Sequence, residues 1–218
     1  MEIDGYRQFF EEFGINKIKL FEWGINKTVF PSVDFAKAEW ERLKNKIYNN
    51  EVVYIRGYGR DAKGTFLYFG FYEMLLGNTK VKKDGTNNYI PQRLVERATG
   101  YKRNRDIFNY QVSHIWGKTK NVFLFEAPWN VCLTPKIMDP FTGHETKGEW
   151  PVEYQKLLLE KAYGLYGKLV DDYNALIGQY DMEDEIKRYM ALGREIGLDE
   201  KVLTQFAKDA PGELSVIS

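Results

Sequence analysis

Cysteine is nearly absent from this sequence, since Cys132 is the single cysteine among 218 residues. One cysteine cannot close a disulfide within the chain, and it cannot build a zinc site from several thiolates. A chain with so few thiols is typical of a reducing compartment. The sequence therefore predicts no structural zinc and a cytoplasmic location. Cys132 stands between Val131 and Leu133 in a short apolar run, which is typical of a buried structural thiol.

Long apolar runs are also missing. A membrane-spanning helix needs about 20 consecutive apolar residues, and no run in this chain approaches that length. The N-terminus reads Met-Glu-Ile-Asp-Gly-Tyr-Arg, which has an acidic start and no apolar stretch, unlike a secretory signal. We expect a soluble protein with no membrane partner.

An excess of one charge is absent as well, because 31 basic residues balance 31 acidic ones. The balance does not hold locally. Residues 80–105 contain eight Lys and Arg against two acids, whereas residues 149–218 contain fourteen acids against eight bases. A basic segment in a neutral protein can hold a polyanion at one place on its surface. The alternative is an ordinary solvated face.

What the sequence does contain is helical patterning and many aromatic residues, at 16% of the chain, which should fill much of the core. Helices are predicted after four capping positions: Asp4, Ser32 or Asp34, Asp181 and Asp199. Further helices are predicted over residues 66–76 and 91–99 and from residue 152 onward. Residues 52–55, 107–112 and 131–133 are predicted strands, residues 15–31 extended or irregular, and residues 80–88 a polar loop. No repeat or clear linker is found, so a single domain is expected.

Histidine is the second scarce residue, and the two histidines, His114 and His144, flank one compact segment. The segment reads Asn-Tyr-Gln-Val-Ser-His-Ile-Trp-Gly-Lys-Thr-Lys-Asn from Asn109, Pro-Trp-Asn-Val-Cys-Leu-Thr-Pro from Pro128, and Asp-Pro-Phe-Thr-Gly-His-Glu from Asp139. His114 follows the first β-prone run, and Asn130 stands at the start of the second. Thr134 and Pro135 predict a helix start, which would place Asp139 one turn into that helix.

This order of strand, His, loop, Asn, strand, helix and metal ligand resembles the HNH nucleases of the ββα-metal fold. The resemblance implies an α+β fold, with a ββα-metal core over residues 107–148 embedded in a mainly helical single domain. Residues 1–106 would form a mixed α/β DNA-recognition part, and residues 149–218 a helical C-terminal part. It further implies metal-dependent hydrolysis of phosphodiester bonds in DNA, in the manner of a restriction endonuclease.

The resemblance also assigns roles within the motif. His114 would be the general base, and Asn130 would either orient its imidazole or bind the metal. Asp139 or His144 would complete the metal site. An imidazole can accept a proton from water at neutral pH because its ordinary pKa is about 6.5. A hard cation such as Mg²⁺ or Mn²⁺ takes oxygen ligands and keeps several waters, so one or two protein ligands suffice.

Double-stranded DNA is the partner that this interpretation predicts. Its phosphates would contact five basic residues: Arg93, Arg103, Arg105, Lys118 and Lys120. Base edges would be read by Asn87, Asn88, Gln92 and Arg93, since amides pair with adenine and Arg with guanine. A palindromic recognition site would imply a homodimer.

Simpler interpretations of the same residues remain open. His114 could be a hydrogen-bonded core histidine, His144 a surface loop residue, and Asn130 the centre of an Asx-turn. A Glu-x-Lys sequence at Glu185 matches another class of nucleases, but it falls on a predicted acidic helix and has no upstream Asp partner. From another functional class, the chain could be a non-catalytic DNA- or partner-binding protein with an HNH-like fold.

Overall fold

Helices dominate the part of the chain that this computed structural model describes, which is residues 3–57, 64–143 and 146–218. The helices there are α1 (Gly5–Glu12), α2 (Lys17–Lys27), α3 (Val33–Tyr48), α4 (Thr65–Leu76), α5 (Tyr89–Thr99), α6 (Glu149–Ile177), α7 (Met182–Glu195) and α8 (Glu200–Leu214). The strands there are β1 (Val53–Ile55), β2 (Val81–Lys83), β3 (Tyr110–His114) and β4 (Val131–Pro135). The coarse α+β prediction is therefore confirmed. No helix of the described ranges is long and apolar enough to cross a membrane.

Side-chain caps begin several helices where the sequence predicts them. The Asp4 carboxylate accepts hydrogen bonds from the first turn of α1. Ser32, and not Asp34, caps α3 through a hydrogen bond from the backbone N–H of Phe35. Asp181 and Asp199 cap α7 and α8 in the same way. Each cap satisfies backbone donors that the helix itself leaves without partners.

The prediction of irregular structure over residues 15–31 is wrong. Asn16 caps a helix there, α2, which buries Phe21 and Gly24 against α6 and the turn that follows β4. A Cβ at Gly24 would lie only 2.8 Å from the Tyr154 hydroxyl and 2.9 Å from Met138. Close packing on distant residues stabilises this helix, and a local pattern does not reveal such packing.

The prediction of a polar loop over residues 80–88 is wrong in its first part. Val81, Lys82 and Lys83 form β2, which pairs in parallel with β1 in the register Val53↔Val81. Val81 alone of the three is buried, so no apolar alternation marks the strand. The pairing with β1 comes from the tertiary fold.

The predicted strands at residues 107–112 and 131–133 overlap β3 and β4, which pair antiparallel with Tyr110 opposite Pro135 and His114 opposite Val131. The predicted helix start at Thr134 is wrong, because Thr134 is fully buried and continues β4. Helical structure resumes only as a short 3₁₀ turn, Asp139–Thr142, before α6. Across the described residues, no ββα-metal core is shown.

Aromatic side chains fill the core, as the composition predicts. The largest fully buried side chains are Trp40, Trp129, Tyr68, Tyr72, Tyr154, Tyr166, Tyr173, Phe71, Phe123, Phe125, Phe141 and Phe206. The main cluster unites α3, α4 and the three C-terminal helices with the residues between β3 and β4. Cys132 belongs to this cluster, and burial raises the pKa of its thiol to about 12, which confirms a buried structural thiol. The candidate site thus lies against a rigid, densely packed floor.

Candidate active site on the loop between β3 and β4

His114 and Asn130 lie next to each other across the β3–β4 pair. His114 ends β3 opposite Val131, and the backbone N–H of the following residue, Ile115, donates to the Asn130 carbonyl at 2.8 Å. The antiparallel ladder thus brings together two residues sixteen positions apart. The residues between them form one loop, 115–129, that leaves β3 and returns to β4.

The His114 imidazole is held by the far end of this loop. Its Nε2 lies 3.2 Å from the Phe125 carbonyl oxygen, and its ring stacks on the Phe125 ring at 5.2 Å. A carbonyl oxygen can only accept, so Nε2 is the donor of this bond, and a neutral ring would then have Nδ1 as its basic nitrogen. The side chain is 6% exposed. The ring is therefore fixed in both orientation and tautomer.

Asn130 holds the same loop from inside. Its Oδ1 accepts from the backbone N–H of Trp116 at 2.9 Å, and its Nδ2 donates to the carbonyls of Gly117 and Leu124 at 3.2 and 3.0 Å. The residue is fully buried. Three bonds from one amide join the start of the loop to its end, directly beside Phe125. This arrangement suits a residue that positions the imidazole through the loop, and it engages the amide oxygen that a metal would need.

The Lys118 and Lys120 side chains both contact other parts of the fold. The Lys118 Nζ donates to the Gly212 carbonyl at 2.6 Å and to the Ser215 hydroxyl at 2.5 Å, and burial lowers the pKa of this amine. Lys120 is buried, with its Nζ 5.4 Å from the centre of the Tyr68 ring. Both predicted phosphate contacts therefore fasten the loop to other parts of the fold.

Asn121 and Glu213 complete that attachment and were not predicted from the sequence. The Asn121 Nδ2 donates to the Tyr173 hydroxyl at 2.8 Å and to the Glu213 carbonyl at 2.9 Å. The Glu213 carboxylate accepts from the backbone N–H of Lys120, while burial raises the pKa of this carboxyl. These residues carry no sequence pattern, because their partners are about 50 to 90 positions away.

Of the two candidate metal ligands, Asp139 and His144, the structure describes only Asp139. Asp139 is half-buried and opens the 3₁₀ turn, which packs beside β3. His144 lies outside the described residues. Within the described ranges, no group of three or more His, Cys, Asp and Glu side chains is arranged to hold a metal ion.

The remaining predicted DNA contacts lie on or just after α5. Arg93 is exposed and donates to the Tyr89 hydroxyl at 2.9 Å. Arg103 is half-buried in the loop after α5. Arg105 is exposed and pairs with Asp106 at 2.8 Å, which lowers the pKa of that carboxyl. Arg93 and Arg105 are thus accessible to a large anion, although Arg105 already has a partner carboxylate.

Glu126 is a further titratable residue that sequence reasoning missed. It directly follows Phe125, and its Oε1 accepts from the backbone N–H of Tyr54 at 2.5 Å. Burial raises the pKa of this carboxyl to about 7, and the hydrogen bond from Tyr54 opposes that rise. A signal was present, since Glu126 is the one charged residue in the apolar run Val-Phe-Leu-Phe-Glu-Ala-Pro-Trp.

Comparison with known proteins gives the chain a family and no activity. The family model described as "Uncharacterised protein PM1201" matches residues 31–218. A relative from Pasteurella multocida (strain Pm70), "Uncharacterized protein PM1201", is 38% identical over 218 residues, which cover 98% of this chain and 97% of the relative. No solved structure matches the chain significantly. With this extent of similarity, the chain belongs to the PM1201 family.

Proposed function

We propose that this protein is a metal-dependent DNA endonuclease of the HNH type, with His114 as the general base. The observation that carries the proposal is the juxtaposition of His114 and Asn130 across an antiparallel strand pair, with the His114 Nε2 held on the Phe125 carbonyl. With Nε2 as the donor of that hydrogen bond, Nδ1 would have to be the nitrogen that accepts a proton from water. A base needs this kind of fixed tautomer before it can act on a positioned water.

The other residues have supporting roles in this proposal. Asn130 holds the two ends of the loop together, so that the Phe125 carbonyl stays hydrogen-bonded to the imidazole Nε2. Oxygen donors suit Mg²⁺ or Mn²⁺, and Asp139 supplies carboxylate oxygens on the turn beside β3. His144, in sequence near Asp139, is the alternative ligand. The bound cation would stabilise the negative charge that develops on the phosphate and the leaving oxygen.

Double-stranded DNA would reach this site over the exposed cations at α5 and the loop after it. Arg93, Arg103 and Arg105 are the candidates for phosphate contacts, because Lys118 is bonded to C-terminal residues and Lys120 is buried against Tyr68. A palindromic target would need a homodimer, which sedimentation velocity of the free and DNA-bound protein would measure. A restriction-type enzyme of this kind would act in the cytoplasm.

The decisive experiment is cleavage of plasmid DNA with Mg²⁺ or Mn²⁺, with and without EDTA, followed by mapping of the cut ends. The wild-type protein should cut in a metal-dependent way, and His114→Ala should not. Gln111→Ala is the matched control, because Gln111 lies on the same strand outside the His114–Asn130 pair. If His114→Ala cuts as fast as the wild type, the proposal fails.

One observation favours the second candidate, a non-catalytic DNA- or partner-binding protein. His114 is only 6% exposed, and a general base must reach a water and a phosphate. For this alternative we expect salt-dependent DNA binding without cleavage by any of the variants, with either metal.

A further inference from the structure

A second concave site lies between α3, β1 and α5, and Glu126 from the loop between β3 and β4 also lines it. Its cavity volume is about 330 Å³, at the lower end of the range for small-molecule sites. The lining residues are Glu39, Arg42, Leu43, Lys46, Tyr54, Ile90, Arg93, Leu94, Arg97 and Glu126. Most of these are polar or charged, and the apolar ones come from α3 and α5.

Cations from two helices converge on this cavity. Arg42 and Lys46 are four residues apart on α3, and Arg93 and Arg97 are four residues apart on α5. That spacing puts each pair on one face of its helix. Four positive side chains around one concavity cost electrostatic free energy unless negative charge compensates them.

The protein compensates this charge only in part. The Glu39 carboxylate pairs with Arg42 at 2.6 Å and with Arg97 at 3.1 Å, so it links the two helices and orients both guanidinium groups. Lys46 is half-buried, and within the described ranges it has no hydrogen bond or ion pair. Among the residues that the structure describes, the Lys46 ammonium has only the Glu126 carboxyl as an electrostatic partner. A half-buried ammonium of this kind, beside two oriented guanidinium groups, is the arrangement that an oxyanion would complete.

We propose that this cavity binds the phosphoryl group of a small phosphorylated molecule, with Lys46, Arg42 and Arg97 as its ligands and Glu126 at its floor. The size and concavity favour a small ligand over a DNA backbone, which runs along ridges and grooves of a protein and needs no enclosed cavity. The inference is independent of the proposed nuclease activity, since none of these three cations is assigned to the cleavage site.

The floor of the cavity makes the binding depend on pH. The Glu126 carboxyl faces Lys46 and Arg97, which favour its ionised form, as does the Tyr54 N–H; burial and Asp84 oppose ionisation. Arg42 and Glu39 from α3 and Arg93 from α5 complete the charged lining. The protonated carboxyl would not repel the anion and could donate to one of its oxygens, so affinity should rise as the pH falls through 7.

Isothermal titration calorimetry with inorganic sulfate and with adenosine monophosphate tests the proposal. Sulfate keeps its charge between pH 6 and pH 8, so any pH dependence of its affinity belongs to the protein. We expect sulfate to bind about tenfold more tightly at pH 6 than at pH 8. For a pKa of about 7, the fraction of Glu126 that is protonated at pH 6 is about ten times the fraction at pH 8. Adenosine monophosphate should bind more tightly than sulfate at the same pH.

Variants separate this site from unspecific attraction. Lys46→Met should weaken both ligands at least tenfold, because it removes a charge-assisted hydrogen bond. Lys37→Met, an exposed position on the same helix and outside the cavity, should change neither. Glu126→Gln keeps the oxygen that accepts from Tyr54 and should abolish the pH dependence. The proposal would be overturned if neither ligand bound measurably, or if Lys46→Met and Lys37→Met lost the same affinity. It would also be overturned if duplex DNA displaced sulfate and Glu126→Gln left the pH dependence of sulfate affinity unchanged.

Discussion

The loop between β3 and β4 and the cavity between α3 and α5 differ in how their polar side chains are partnered. In the loop, the amides of Asn121 and Asn130 are bonded to the protein itself, and Lys118 is bonded to the C-terminal helix. In the cavity, Lys46 has no hydrogen bond or ion pair within the described ranges. The loop is thus built to hold one conformation, whereas the cavity has positive charge left for a ligand.

The loop and the cavity should therefore respond differently to mutation. Where one buried amide bonds several backbone groups, as Asn130 does, its removal leaves those groups without partners and the fold loses stability. Where a cation faces a solvent-filled cavity, its removal costs little stability and acts on binding alone.

The largest effect is expected for His114→Ala in the loop. Loss of a general base lowers the cleavage rate by roughly 10²–10⁴. DNA affinity should stay close to that of the wild type, because the base acts on water in the transition state and not on bound DNA. Single-turnover cleavage and binding by fluorescence anisotropy, measured on the same preparations, separate the rate from the affinity. A loss in affinity that matches the loss in rate would argue for a structural role of His114.

Asn130→Ala should destabilise the protein by about 3 kcal/mol, because it removes three hydrogen bonds and leaves their buried backbone partners unsatisfied. The free energy of unfolding in urea measures this loss. Lys46→Met, in the cavity, is the matched comparison and should change stability by less than about 0.5 kcal/mol. Equal losses in the two variants would remove the contrast between the two regions.

How far the sequence predicts this molecule depends on how local the physical cause is. The helix caps act within one turn of a helix, so the residue type alone predicts them at Asp4, Ser32, Asp181 and Asp199. Strands β3 and β4 are predicted from two short β-prone runs, and a single loop joins them in the pair.

Other features depend on distant partners and leave little local trace. Strand β2 exists because Val81 pairs with Val53 on β1, 28 positions earlier, and α2 because Gly24 fits closely against Tyr154. A Thr-Pro pair favours a helix start, yet at Thr134 the ladder with β3 continues and overrides that preference. The resemblance to HNH nucleases brought His114 and Asn130 into one prediction. It gave no sign of the cavity, whose residues are common types from four separate segments.

Glu126 links the two regions, and its pKa gives a prediction about stability. Its folded pKa of about 7 lies above the ordinary value of about 4.5. The folded state therefore binds this proton more tightly than the unfolded state does. The stability that the protonated form contributes is fully present below about pH 4.5 and is lost as the pH rises through 7. The loss should amount to at most about 3 kcal/mol. Unfolding free energies from pH 5 to pH 8 should show a declining contribution in the wild type that is missing in Glu126→Gln. Parallel profiles for the two proteins would contradict it.

The smallest expected effects come from single surface cations, and they separate the two anion sites most sharply. Arg105 belongs to the proposed DNA path alone, Lys46 to the cavity alone, and Arg93 to both. Each phosphate contact contributes about 0.9 to the slope of log K against log salt for duplex DNA. Arg105→Ala should therefore lower that slope by one unit or less, the smaller value reflecting its pair with Asp106, and should leave sulfate affinity unchanged. Lys46→Met should lower the sulfate affinity and leave the DNA salt slope unchanged. Arg93→Ala should lower both the slope and the sulfate affinity. If Lys46→Met also lowered the DNA slope, the cavity would be part of the DNA path, and the contrast between a closed loop and an open ligand site would have to be abandoned.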